Sequence, residues 1–281
     1  MEAKPSLTMG FLSLVTANRS MFNLHLGLPG IIPDLLHSVS QPGILMSEGL
    51  PQVLSRQLWR EQFRGLINAK RKEAMVDVSA WRKIETAIAS LSVHGTVAAS
   101  QHSLLGGAED CFWKQSVLPY TKNRIGRISD IFTDVPVTFH LTIQGQFDYL
   151  YEVVSRMPEG KGFPEPRITP SWAQLVRRIR TAAPRSRIVV WDFEHPEKVT
   201  LAFLISLLDT TDDKIIDALE KYLLNIPQPS KTLLSNHKIT GISQSWIDKL
   251  DFQYERDLAE ISCMENVSLI LPENVPEEFH R

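Results

Sequence analysis

The chain has 281 residues, of which 43% are hydrophobic and 22% are charged, and its formal net charge is −2. This length fits one or two domains, and the near-neutral charge excludes a broad field that would attract nucleic acid or an acidic membrane surface. The only cysteines, Cys111 and Cys263, are too few for a secreted disulfide framework and too isolated for a zinc site, so a reducing cytoplasm is the simplest expected location.

Residues 10–17 form a short apolar run near the N-terminus. Glu2 and Lys4 cancel in charge, so the run lacks the positive region that precedes the core of a signal peptide. It is also much shorter than the ~18 apolar residues that span a bilayer. We therefore expect neither a signal peptide nor a membrane span, and Met21 is an alternative natural start because a strand is predicted directly after it.

The first predicted elements lie in Phe22 to Ser38, which reads as a buried strand, a glycine-containing turn and the start of a helix. The first backbone N–H groups of a helix are unpaired and carry the positive end of its dipole. A strand that enters a helix through such a turn is therefore a potential anion site.

Alternating strands and helices follow along the chain. Apolar residues at helical spacing predict helices at 51–72, 77–91, 120–132, 147–156, 171–183, 196–208, 212–223 and 243–264. Short apolar or alternating runs predict strands at 43–46, 96–100, 136–143, 187–192 and 267–271. The segment 157–170, with four prolines and two glycines, is predicted to be a loop, and 227–235 a linker. This order predicts an α/β fold with a largely parallel central sheet flanked by helices.

Five segments, in this order, carry a resemblance to a known family. They are HLGLPGIIPD at 25–34, SQHSLLG at 100–106, VTFHLTIQGQFDYLYE at 137–152, IVVWDFE at 188–194 and YERDLAEISCMENVSLI at 254–270. The first resembles the pattern HxGxxKTGTT, the second SEENLLG and the third RxxxDYLxS of bacterial sulfotransferase-family proteins. The resemblance implies a P-loop nucleoside-triphosphate-hydrolase-like sulfotransferase fold, which in active members binds phosphoadenosine phosphosulfate.

Under this resemblance, the phosphate-binding loop is degenerate. The loop comprises Gly27, Leu28, Pro29, Gly30, Ile31, Ile32, Pro33 and Asp34. The family's lysine aligns with Gly30, and its threonine and glycine align with Ile31 and Ile32, whose bulk obstructs close approach to a phosphate. Pro33 lacks an N–H donor, and the carboxylate of Asp34 can itself occupy the positive helix end.

The second half of the nucleotide site also differs from the family pattern in ways that weaken phosphate binding. The arginine that holds the 3′-phosphate in active members aligns with Gln144, and the neighbouring serine of the family aligns with Glu152. Loss of a charge-assisted hydrogen bond and gain of a carboxylate both weaken phosphate binding. We therefore expect no cofactor; if the degenerate-site interpretation is wrong, the cofactor is phosphoadenosine phosphosulfate.

The resemblance covers about Phe22 to Leu271 and implies three parts of the chain. Residues 1–21 form an N-terminal extension, for which disorder is one alternative, 22–273 a single sulfotransferase-like domain, and 274–281 a C-terminal tail.

Several single residues have a functional and a structural interpretation. His102 lies in the polar segment where active relatives place acidic groups, so it is a weak candidate for a general base, although a structural loop histidine is favoured. His25, His102 and His140 could converge on a metal, but packing and hydrogen bonding explain His25 and His140 adequately. The arginines of 177–187 are interpreted as a solvated helix face rather than a nucleic-acid patch.

Two functions remain open at this stage. The first is a non-catalytic descendant that has lost phosphoadenosine phosphosulfate binding and serves as a binding or regulatory protein with an unidentified protein partner. The second is a transferase that acts on a polysaccharide, lipid or small hydroxylated acceptor with a rearranged donor site. An open polar cleft beside His102 would favour the transferase, and a cleft filled by Ile31 and Ile32 would favour the first.

Overall fold

The computed structural model describes residues 22–27, 36, 52–54, 96–105, 118–133, 135–155, 169–225 and 243–275. These residues form an α/β fold around a six-stranded sheet in the order β2-β3-β1-β4-β5-β6. The strands are β1 (Phe22–Gly27), β2 (Gln52–Val53), β3 (Val97–Ser100), β4 (Val137–Ile143), β5 (Arg187–Asp192) and β6 (Val267–Ile270). All described pairings between neighbouring strands are parallel, which confirms the predicted α/β class with a parallel central sheet.

Helices connect and cover these strands. They are α1 (Thr121–Ile131), α2 (Gln146–Ser155), α3 (Trp172–Ala182), α4 (Pro196–Leu208), α5 (Asp213–Asn225) and α6 (Gln244–Ser262), with short 3-10 helices at His102–Leu105 and Pro272–Asn274. Helix α3 begins after Ser171, whose side chain accepts a hydrogen bond from the backbone N–H of Gln174. Helix α4 begins with Pro196 and ends where Asp209 adopts a left-handed conformation.

One face of the sheet packs against α1, α2, α3 and α6. Strands β1 and β4 place Phe22, Leu24, Leu26, Phe139 and Leu141 on this face, and all five are fully buried or nearly so. The helices complete the core with apolar side chains such as those of Ile125 of α1, Leu150 of α2, Leu175 of α3 and Leu250 of α6. We call this the apolar face.

The opposite face packs against α4 and α5. Strands β3 and β5 contribute Ala98, Val189 and Trp191, and α4 contributes Phe203. The remaining side chains of β1 and β4 on this side are polar and buried: Asn23, His25, Thr138, His140 and Thr142. We call this the mixed face. All seven residues of β4 are buried because helices cover both sides, as is usual for parallel sheets.

The predicted elements from residue 96 onward agree with the structure wherever it describes them. One prediction is wrong: the helix at 51–72 was expected to begin where Gln52 and Val53 instead form β2, paired with Val97 and Ala98. Apolar spacing alone cannot distinguish a two-residue strand from the first turn of a helix, and the pairing with β3 decides it. The predictions for 43–46, 77–91 and 227–235 lie outside the described residues.

Every helix in the described part of the chain is too short or too polar to span a bilayer.

Candidate functional site

The carboxyl ends of the parallel strands meet at one edge of the sheet, which we call the carboxyl edge. Strand β1 lies between β3 and β4 at the centre of the sheet. After β1, the next described residue, Leu36, packs on the mixed face, whereas after β4 helix α2 packs on the apolar face. The described residues that come next in sequence after these two adjacent strands therefore lie on opposite faces of the sheet, and ligands of open α/β sheets bind where such elements diverge.

Gly27 ends β1 in a conformation that only glycine adopts readily, with φ at +125°. A β-carbon at this position would lie 2.5 Å from the carbonyl oxygen and 2.6 Å from the hydroxyl oxygen of Thr142. The glycine is therefore required by the close approach of β4. The remainder of the predicted phosphate loop, Leu28 to Asp34, lies outside the described residues.

The structure brings the two predicted 3′-phosphate positions together. Gln144 follows β4 and Glu152 lies in α2, and the side-chain amide of Gln144 donates a hydrogen bond to Oε2 of Glu152 at 3.3 Å. The carbonyl of Gln144 accepts a hydrogen bond from the indole N–H of Trp172 at 2.8 Å, which anchors the backbone at this point. At these two positions, the protein's own carboxylate therefore accepts a hydrogen bond from the side-chain amide.

A second carboxylate lies at the end of β4. Glu194, just beyond β5, accepts a hydrogen bond through Oε2 from the backbone N–H of Gly145 at 3.3 Å. The adjacent Asp192 accepts bonds through Oδ1 from the hydroxyl of Tyr254 at 2.5 Å and from the N–H of Glu194 at 2.8 Å. Burial raises the pKa of Asp192, and burial together with the neighbouring Asp192 raises the pKa of Tyr254. The hydroxyl of Tyr254 consequently stays protonated and acts as a donor.

Three side chains from three neighbouring strands form a hydrogen-bonded row at the carboxyl edge. His25 of β1 is fully buried; its Nδ1 lies 2.8 Å from the hydroxyl of Ser100 of β3, and its Nε2 lies 3.0 Å from the hydroxyl of Thr142 of β4. The ring of Phe203 meets the imidazole edge-on at 5.3 Å. We call His25, Ser100 and Thr142 the Ser–His–Thr row. Ser100 is partly exposed, so the row reaches from the sheet interior to its surface.

His102 lies at the first position of the 3-10 helix that follows β3. This helix is held beside β1 because the N–H of Gln101 donates to the carbonyl of His25 at 2.9 Å. Arg124 of α1 fixes its other end by donating to the carbonyl of Leu104 at 2.6 Å. The backbone of His102 is thus at the carboxyl edge, where the sequence predicted it.

His140 and His25 both meet the ring of Phe203 edge-on but have different described hydrogen-bond partners. His140 accepts a hydrogen bond at Nδ1 from the indole of Trp191 at 3.2 Å, and burial, with a smaller contribution from Arg187, lowers its pKa from 6.5 to about 3. A histidine held neutral in this way fits the structural interpretation. Within the described ranges, no group of histidine, cysteine, aspartate or glutamate side chains is arranged to hold a metal ion.

The arginine segment runs along α3 and the turn after it to Arg187, the first residue of β5. Leu175, Val176 and Ile179 are buried, whereas Arg177 is exposed and forms an ion pair with Glu260 of α6. A guanidinium paired in this way is less suited to a nucleic-acid phosphate, which favours the interpretation as a helix face.

Sequence reasoning missed Asp257, the most highly connected carboxylate among the described hydrogen bonds. It is 1% exposed and accepts hydrogen bonds from the side chains of Gln146, Ser171 and Gln253 at 2.8 Å and from the N–H of Trp172 at 2.7 Å. It therefore joins α2, the start of α3 and α6. Its position on the same helical face as Leu250, Tyr254 and Ile261 was the available signal, since a charge on an apolar stripe requires buried partners.

Comparisons with protein-family models, curated proteins and solved structures find no match to this chain.

Proposed function

We propose that this protein is a sulfotransferase-like α/β scaffold that has lost phosphoadenosine phosphosulfate binding and acts as a non-catalytic binding or regulatory protein. The observation that carries the proposal is the hydrogen bond between Gln144 and Glu152. By the resemblance, Gln144 and Glu152 align with positions where active members bind a phosphate, and here the amide is bound to a carboxylate of the same chain.

The end of β4 supports the proposal independently of that pair. The N–H of Gly145 is a backbone donor at the carboxyl edge, beside the point where β1 and β4 diverge, and it is bound to Glu194. Two donors that could face an anion are thus each bound to a carboxylate of the protein. A phosphate that approached them would displace these bonds and meet two negative charges.

The expected loss of affinity is large. A hydrogen bond to a charged group contributes on the order of 1.5–3 kcal/mol, and the resemblance implies that at least two such bonds are missing. By affinity arithmetic, two or three losses of this size weaken binding roughly 10³-fold or more. A micromolar complex in an active relative would correspond to millimolar binding here.

Calorimetric titration with phosphoadenosine phosphate tests the proposal directly. We expect no saturable binding in the micromolar range, because the loop and the 3′-phosphate half-site are both altered. A micromolar dissociation constant for the unaltered chain would overturn the proposal.

Restoring the loop first and then the second half-site sharpens the test. The loop set Gly30→Lys, Ile31→Thr and Ile32→Gly should leave binding undetectable while Gln144 and Glu152 remain. Adding Gln144→Arg and Glu152→Ser to that set should strengthen binding on the order of 10²-fold or more. Strong rescue by the loop set alone would show that the second half-site was misjudged.

The pair Gln244→Arg and Glu255→Ser provides a matched control for the added charge. Both residues are exposed on α6, and the substitutions change the net charge by the same amount as Gln144→Arg and Glu152→Ser. Binding that appears equally in this control reflects general attraction of the anion, not a rebuilt site.

A further inference from the structure

The Ser–His–Thr row has the arrangement of a hydroxyl nucleophile paired with a base and a group that orients the base. The hydroxyl of Ser100 can donate to Nδ1 of His25, whose Nε2–H then donates to the hydroxyl of Thr142. This tautomer leaves the imidazole able to accept the Ser100 proton at the 2.8 Å separation observed. From this geometry we propose that Ser100 is a covalent modification site for activated acyl groups.

Accessibility supports Ser100 as the reacting group. His25 is fully buried, whereas Ser100 is partly exposed at the end of β3. The chain turns immediately after it, because the N–H of Gln101 bonds to the carbonyl of His25 and the 3-10 helix begins. The serine therefore stands at the carboxyl edge, with its hydroxyl beside the buried base.

The chemistry of the surroundings favours an uncharged acyl group over a phosphoryl group. The described hydrogen-bond partners of the imidazole are two hydroxyls, and the ring of Phe203 meets its edge, so these three contacts supply no cation for a phosphoryl group. An ester or thioester carbonyl does not need cationic partners.

The proposed step is a single acyl transfer. The Ser100 oxygen forms a bond to the carbonyl carbon while its proton moves to Nδ1 of His25. The bond from that carbon to the alcohol or thiol leaving group then breaks, and the leaving group takes the proton from His25. The product is an ester on Ser100 and a free alcohol or thiol.

Thr142 orients the imidazole but cannot neutralise its transient positive charge as a carboxylate would. The row therefore supports slow, stoichiometric capture and not rapid turnover. Such a modification is compatible with a non-catalytic scaffold and does not depend on the nucleotide argument. Failure of either proposal leaves the other standing, because nucleotide titration and serine labelling measure different groups.

A biotinylated alkyl fluorophosphonate serves as the probe, since serine attack forms the phosphorus–oxygen bond, releases fluoride and passes the proton to His25. We expect intact-mass analysis of the folded full chain to show a single adduct, and peptide mapping to place it on Ser100. Labelling should vanish in Ser100→Ala and in wild-type protein unfolded by urea. The control Ser262→Ala removes an exposed hydroxyl that donates to the carbonyl of Ala259, and should not change the rate.

Two variants test the role of the histidine. His25→Asn should slow labelling on the order of 10²-fold, the usual contribution of a positioned base. Thr142→Val keeps both reacting partners and nearly the same volume, so it should slow labelling several-fold in a chain that still folds. The proposal is overturned if folded wild-type protein carries no adduct on Ser100, or if Ser100 reacts equally fast in the unfolded chain or in Thr142→Val.

Discussion

Both faces of the sheet are buried, but the strands present different side chains to each. On the apolar face, β1 and β4 contribute Phe22, Leu24, Leu26, Phe139 and Leu141, which require only dense packing. On the mixed face, the alternate residues of the same strands are polar, and those with described partners lie in defined hydrogen bonds. Asn23, for example, donates to the carbonyl of Leu207 at the end of α4.

The difference indicates that the two faces contribute to the fold in different ways. Burial of apolar area on one face is non-directional and accounts for much of the stability. Each buried polar group on the other face costs free energy unless its partner is present, so this face specifies how α4 and the central strands fit together. Four predictions test this contrast.

Phe139→Ala should have the largest effect, because it removes a fully buried ring from the centre of the apolar face. We expect a loss of about 4 kcal/mol in the free energy of unfolding, measured by urea denaturation. Phe252→Ala is the matched control, since Phe252 is 69% exposed and the same truncation should change stability by less than about 0.5 kcal/mol. Similar losses at the two positions would contradict the packing account.

Asp257→Ala should follow, because it leaves several buried donors on the apolar side without an acceptor. We expect a loss of about 3 kcal/mol and, in hydrogen exchange, faster exchange at the start of α3, where Trp172 loses its bond to the carboxylate. Asp251→Ala on the same helix should not destabilise the protein, because Asp251 is exposed. Partial burial and the negative charges of Asp248 and Glu194 raise the pKa of Asp251, so its ionised form is not stabilised by folding. A small effect of Asp257→Ala would show that the buried network is dispensable.

His140 should make the mixed face sensitive to acid. Its pKa falls from 6.5 to about 3 on folding, so the neutral form is favoured in the native state. The contribution of His140 to the free energy of unfolding is therefore fully present above pH 6.5. It decreases by roughly 1.4 kcal/mol per pH unit as the pH falls toward about 3. Urea denaturation should therefore show about 2 kcal/mol lost to this group by pH 5.

His140→Gln is the control for that titration. The variant should be less stable than the wild-type chain at pH 7, but the difference should shrink toward pH 5 because glutamine does not take up a proton. A difference that stays constant between pH 7 and 5 would exclude His140 as the titrating group.

Trp191→Phe should produce the smallest of the four losses. It removes the indole N–H that donates to His140 and leaves Nδ1 unsatisfied in the interior, with an expected loss of about 1 kcal/mol. Trp172→Phe makes the same change at the apolar face, where the indole donates to the partly buried carbonyl of Gln144. Water can replace that bond, so a loss in Trp172→Phe as large as in Trp191→Phe would remove the distinction between the faces.

The local elements could be predicted from the sequence with good agreement from residue 96 onward. The strand at 136–143 and the helices at 120–132 and 243–264 could be predicted because the spacing of apolar residues within each segment indicates its secondary structure. The start of the predicted helix at 51–72 was wrong because Gln52 and Val53 become a strand only through pairing with β3. Spacing within a segment contains no information about that distant partner.

Part of the candidate site could likewise be predicted from the sequence, and part depends on contacts between distant segments. The resemblance selected Gln144 and Glu152, and the fold places them in hydrogen-bond contact. His25 was predicted to be held by packing and hydrogen bonds, but its pairing with Ser100 and Thr142 depends on β3 and β4 lying on either side of β1. Glu194 and Asp257 were missed because their partners lie far away in the chain.

From residue 96 onward, the sequence by itself thus determined where the described strands and helices lie and which polar residues follow the strands, because periodicity and turn residues act over short distances. The tertiary structure alone decided the order of the strands, the contrast between the two faces and the meeting of Ser100, His25 and Thr142. Those features arise from contacts between residues far apart in sequence, and only the packing of the whole sheet selects them.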